Sequence, residues 1–178
     1  QKTEFLVSLK KLDEISDEVI NEVDILDLKN PSNGSIGAWD SFEIKKAISL
    51  LKHKTQISAT LGDIFVNKEF LIKLDQFDSL NLDFIKFGLL SYNLKNLFEK
   101  INLLESRAYR TNLVCVVFVD IQRNLELVDK NLESFFRCGL RHIMLDTYWK
   151  NNGNLLKFCR TIYLKEFILK CKNLDIKV

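Results

Sequence analysis

The run Leu113-Val114-Cys115-Val116-Val117-Phe118-Val119 decides the fold. It is apolar throughout and rich in β-branched residues. A strand with one wet face alternates polar and apolar positions. A strand without that alternation is buried on both faces, as in a parallel sheet covered by helices. Working outward, shorter strand-like runs cover residues 5–9, 24–29, 56–60, 83–87 and 142–146. Helical patterns lie between them. Leu12, Ile15, Val19 and Ile20 share one face. Ile44, Ala47, Ile48 and Leu51 repeat at i, i+3, i+4 and i+7, and Leu94, Leu97, Phe98, Ile101 and Leu104 form a further stripe. Residues 64–80, 125–138 and 155–171 also read as helices, the second stopped by Gly139. Residues 175–178 read as the start of a seventh strand. Repeated strand–helix units predict an α/β fold with a parallel sheet, open or closed into a barrel.

The chain has 178 residues, which suits a single domain over 1–178. It is 47% hydrophobic, too apolar for a disordered or fibrous chain. Lys+Arg number 26 against 24 Asp+Glu, so no basic excess points to nucleic acid. No apolar run approaches the ~18 residues of a membrane span. The start carries no secretory pattern. Cys115, Cys138, Cys159 and Cys171 are far apart with no C-x-x-C, and read as reduced thiols of a cytoplasmic protein. With only His53 and His142, neither a histidine zinc site nor a Ser-His-Asp triad is well supplied, and no metal site is expected.

Chemistry-bearing residues gather at strand ends. Gly34, Gly37, Gly62, Gly88 and Gly153 each fall just after a predicted strand, where parallel sheets bind ligands. Asp27 and Lys29 end the second run and, two apart, share a face. Lys86 ends the fourth run between Ile85 and Phe87. Asp146 ends the sixth, and Lys150 follows in the loop. An ammonium inside an apolar strand is costly unless paired or neutral. A desolvated lysine beside another cation is nucleophilic toward carbonyls, and nearby carboxylates shuttle protons. That set suggests Schiff-base chemistry on an aldehyde or ketone. The alternative is a group of solvated strand-end ion pairs, and spacing alone does not choose. The loop at residues 30–37, with Gly34, Ser35 and Gly37, and the turn at Thr60 and Asp63 offer backbone N–H groups to phosphate. The loop lacks a Walker ending.

At these residues the sequence resembles the (5-formylfuran-3-yl)methyl phosphate synthases, furan-forming enzymes of methanofuran biosynthesis. The matching segments are Leu6-Val7-Ser8, Asp24 to Pro31 with Gly34-Ser35-Ile36-Gly37-Ala38, Ser58-Ala59-Thr60-Leu61-Gly62-Asp63, Asp83 to Leu89, and Met144-Leu145-Asp146-Thr147 with Lys150. The resemblance implies a (β/α)8 TIM-barrel-like fold, of which the last one to two β/α units are missing from this chain. It implies a class I aldolase-like lyase that joins two molecules of glyceraldehyde 3-phosphate into a phosphorylated furan aldehyde, losing phosphate and water. Lys29 would be the Schiff-base lysine, with Asp27, Lys86, Asp146 and Lys150 completing the catalytic set. Ser8, Gly34, Ser35, Gly37, Thr60, Asp63 and Gly88 would bind substrate or phosphate. No cofactor is required, and a homo-oligomer is expected to cover the open barrel edges. Another class I aldolase on a sugar phosphate and a non-catalytic phosphometabolite-binding relative are the competing readings. Tyr148-Trp149 is bulkier than the family pattern at that point.

Overall fold

A computed structural model describes residues 3–33, 37–51, 54–62, 68–89, 99, 102–104 and 108–178. Six strands form one wholly parallel sheet in consecutive order: β1 (Leu6–Leu9), β2 (Ile25–Leu28), β3 (Gln56–Thr60), β4 (Phe84–Leu89), β5 (Asn112–Phe118) and β6 (His142–Asp146). Helices connect them: α1 (Asp17–Glu22), α2 (Ser41–Leu51), α3 (Lys68–Asp78), α4 (Asn124–Asp129), α5 (Leu132–Arg137), α6 (Leu155–Phe158) and α7 (Thr161–Asn173). The expected eight-unit barrel is thus present as a six-stranded sheet. The expected seventh strand appears as one parallel bridge, in which Lys177 pairs with His142.

The register sorts every strand residue onto one of two faces. Leu26 and Leu28, Ile57 and Ala59, Ile85, Phe87 and Leu89, Cys115 and Val117, and Ile143 share one face. All belong to the main core with helix residues such as Ile44, Phe70, Leu74, Phe135 and Phe167. The opposite face carries Ser8, Asp27, Ser58, Thr60 and Lys86, then Val116, Phe118 and Met144 toward β6. An apolar cluster of Val116 and Phe118, with Ile121, Met144 and Tyr148, sits there apart from the main core.

That polar face is concave. In a flat sheet β2 and β6 stand four strand spacings apart, about 19 Å. Yet Lys29 Nζ, just after β2, lies 3.9 Å from Asp146 Oδ2 at the end of β6. The sheet must curl to bring them together.

Two expected helices are each split. Residues 125–138 form α4 and α5, because Asn131 donates its side-chain amide to the Leu127 carbonyl at 2.7 Å while its backbone N–H turns to Val128. Buried Leu125, Val128, Leu132 and Phe135 keep helical spacing across the break, which hides it in the sequence. Residues 155–171 break where Cys159 turns extended and buries its side chain. Gly139 ends α5 with φ +85°, Gly139 N–H reaching Phe136 O and Leu140 N–H reaching Phe135 O. Gly88 lies inside β4, since that strand runs on to Leu89, so it is a buried strand residue and not a loop glycine. Most of the stripe at 94–104 falls outside the described residues, as does His53. All four cysteines are free thiols, three of them buried. Among the described residues no helix is long and apolar enough to cross a membrane.

Candidate active site

Asp27 anchors the concave face. It is fully buried, and its Oδ2 accepts hydrogen bonds from Ser8 Oγ at 2.8 Å and from Lys86 Nζ at 2.5 Å. Ser8 is registered beside Asp27 on the adjacent β1, and Lys86 reaches across β3 from β4. Lys86 is only 3% exposed, so this is a buried charge pair. Such a pair is compensated only by close geometry and further hydrogen bonds. Asp27 Oδ1 and Ser58 Oγ, its register neighbour on β3, lack hydrogen-bond partners among the described residues.

Lys29 stands two residues further along, at the carboxyl end. Its backbone N–H continues the ladder to Leu9 O, which fixes the side chain on the concave face. Burial pushes its amine below the ordinary lysine range. The Asp146 carboxylate opposes that, and the ammonium groups of Lys150 and Lys86 add to it. Asp146 is shared: Oδ2 faces Lys29, while Oδ1 accepts from Lys150 Nζ at 2.5 Å. Lys150 Nζ also donates to the Thr147 carbonyl. Thus Asp27, Lys29, Lys86, Asp146 and Lys150, from the ends of β2, β4 and β6, form one cluster of ion pairs around a half-buried amine. Chemically, this is a lysine with a raised neutral fraction beside a carboxylate.

A model of the 4-HFC-P synthases matches residues 5–178. The chain belongs to the 4-HFC-P synthase family. Relatives named (5-formylfuran-3-yl)methyl phosphate synthase include those of Methanocaldococcus jannaschii, 28% identical over 97% of this chain and 76% of the relative, and of Methanococcus aeolicus, 26% identical with the same coverage. That of Methanothermobacter thermautotrophicus is 26% identical over 97% of this chain and 75% of the relative. Among solved structures, CutC from Streptococcus agalactiae superposes with a TM-score of 0.69 over 98% of this chain and 86% of that one, at 14% identity. That likeness speaks to the fold alone.

In this member of the 4-HFC-P synthase family, several expected binding residues hold the scaffold. Thr60 Oγ1, fully buried, donates to the Gly37 carbonyl at 2.8 Å, and Asn30 N–H meets the same oxygen at 2.9 Å. Gly37 therefore closes the loop after β2. Ser8 is committed to Asp27 and Gly88 to the β4 ladder. Gly34, Ser35 and Asp63 lie outside the described residues. Three further polar residues were not singled out in the sequence. Ser58 lies beside Asp27 on the concave face. Asn124, fully buried, donates to the carbonyls of Leu89 and Phe118 and ties β4 to β5. Asp120 grips the loop that carries Lys150. The signal available for Asn124 and Asp120 was a polar residue just past an apolar strand.

Proposed function

We propose that this chain condenses two triose phosphates into a phosphorylated furan aldehyde through a Schiff base on Lys29. One observation carries the reading: the amine of Lys29, held low by burial, faces the Asp146 carboxylate on the concave face of a curled parallel sheet. The names of the relatives supply the product. In the proposed sequence, the neutral Lys29 amine attacks the carbonyl of one triose phosphate and water leaves, forming an iminium. The iminium acidifies the adjacent carbon, and Asp146, the carboxylate nearest Lys29, takes that proton. The enamine then attacks the aldehyde of the second molecule. Loss of one phosphate and of water closes the ring, hydrolysis of the iminium frees Lys29 and the product, and aromaticity drives the steps forward.

The geometry divides the lysines. Lys86 is buried against Asp27, so it acts as a fixed positive charge near Lys29. Lys150, its side chain 47% exposed, is the cation available to a phosphate. Borohydride reduction in the presence of glyceraldehyde 3-phosphate tests the reading. A reduced adduct on Lys29, absent in Lys29→Ala, with near-ultraviolet absorbance growing in the unreduced mixture, is the expected result. A folded chain that forms no adduct overturns it.

A further inference from the structure

The geometry points to Asp120 as a positioning residue that sets the reactivity of Lys29 through the loop after β6. The inference rests on the Schiff-base reading above and goes beyond it to a residue that touches no substrate. β5 and β6 stay paired one residue past the end of β5, where Val119 N–H donates to Asp146 O at 2.9 Å. From there the backbone ladder stops and the Asp120 side chain takes its place. Oδ1 accepts the Tyr148 N–H at 2.7 Å, and Oδ2 accepts the Trp149 N–H at 2.8 Å. Hydrogen bonds to an ionised acceptor are about twice as strong as neutral ones, and two on successive amides fix a turn.

That turn is the one that returns Lys150 to Asp146. Lys150 is the next residue, and its Nζ closes onto Asp146 Oδ1 and the Thr147 carbonyl. The Tyr148 ring is held from the other side, edge-on to Phe118 at 5.2 Å and to Trp149 at 5.0 Å. The line of influence is short: Asp120 holds two amides, the amides aim Lys150, and Lys150 occupies one oxygen of the carboxylate whose other oxygen faces Lys29. The charged groups acting on Lys29 are Asp146 from β6, Lys150 from the turn, Lys86 from β4 and Asp27 from β2. Loosening the turn removes one of the two cations and leaves Asp146 to Lys29 alone. Both changes favour the charged amine.

The test is competitive acetylation of the intact protein across pH, with the extent at Lys29 read by peptide mass. It needs no substrate, so it stands apart from the fate of the Schiff-base reading, which borohydride trapping decides. Asp120→Asn keeps the size but places an amide N–H against a backbone N–H. It is expected to move the Lys29 labelling midpoint up by about one pH unit. Lys150→Ala is expected to do the same, and the double variant to go no further than Lys150→Ala alone. Asp120→Glu, which keeps both acceptor oxygens, is expected to stay nearer the parent midpoint than Asp120→Asn. A role confined to stability would lower the melting temperature while leaving the midpoint in place, and that result overturns the inference. So does a double variant whose shift is the sum of the two. If Asp120→Asn does not fold, Asp120→Ser, which keeps one acceptor, is read against the same outcomes.

Discussion

The two ends of the sheet differ in what their aspartates face. At the amino end, Asp24 Oδ2 accepts the Phe5 N–H at 2.8 Å, Asp83 Oδ2 the Ile57 N–H at 2.8 Å, and Asp78 Oδ1 the Thr111 N–H at 2.9 Å. At the carboxyl end Asp120 also holds backbone N–H groups and Asp146 Oδ1 accepts the Thr147 N–H, but Asp27 and Asp146 face lysine side chains as well. Asp24 and Asp27 are three residues apart on one strand segment and belong to different worlds. A carboxylate spent on backbone N–H groups joins strands. A carboxylate facing ammonium groups tunes their charge. A recess of ≈ 460 Å³ does open at the amino end, lined by Glu4, Asp24, Lys54 and Asp83 among others. Asp24 and Asp83 are engaged there with backbone N–H groups.

The comparison breaks most sharply at Lys86. Lys86→Ala strands the buried Asp27 carboxylate, and a loss of about 3–5 kcal/mol in denaturant unfolding is expected, together with loss of adduct formation. A double change, Asp27→Leu with Lys86→Met, is expected to recover most of the stability and none of the chemistry, because an apolar pair of similar volume has no desolvation penalty.

The second effect is on pH. The amine of Lys29 titrates below the ordinary lysine value of about 10.4, so its neutral fraction and the initial trapping rate rise about tenfold per pH unit until that lowered midpoint. The same shift has a consequence for folding. The unfolded chain binds this proton more tightly than the folded one. Stability from this group therefore rises with pH between the folded and unfolded midpoints. Unfolding titrations of the parent and of Lys29→Met, compared across alkaline pH, are expected to show that slope only in the parent.

At the amino end, Asp83→Ala leaves the Ile57 N–H without its acceptor. Unfolding is expected to fall by about 1–3 kcal/mol, with trapping at Lys29 unchanged. A change in trapping here would erase the distinction between the two ends. The smallest effect is expected at Ser8→Ala. Asp27 keeps Lys86, so stability drops by about 1 kcal/mol and trapping falls only modestly.

Much of the site was legible because strand residues two apart share a face whatever the sheet does. Asp27 with Lys29, and Lys86 between two apolar neighbours, marked strand ends on that ground alone. The breaks in α4–α5 and α6–α7 were not legible. The apolar spacing of Leu125, Val128, Leu132 and Phe135 continues through the first, and the feature that interrupts it is a side-chain hydrogen bond of Asn131. Nothing in the sequence signalled that the Ser8 and Thr60 hydroxyls donate to Asp27 and to the Gly37 carbonyl.

Local pattern by itself determined the alternation of strands and helices, the parallel sheet and the charged residues at strand ends, since these depend on period and polarity along the chain. Only the tertiary structure decided which charges meet. The curl of the sheet closes the distance between β2 and β6, and that curl belongs to the packed assembly of six strands against their helices. It joins Lys29 to Asp146, while the pairing of β5 with β6 sets Asp120 on the loop of Lys150, and contacts between residues far apart in sequence leave no periodic trace.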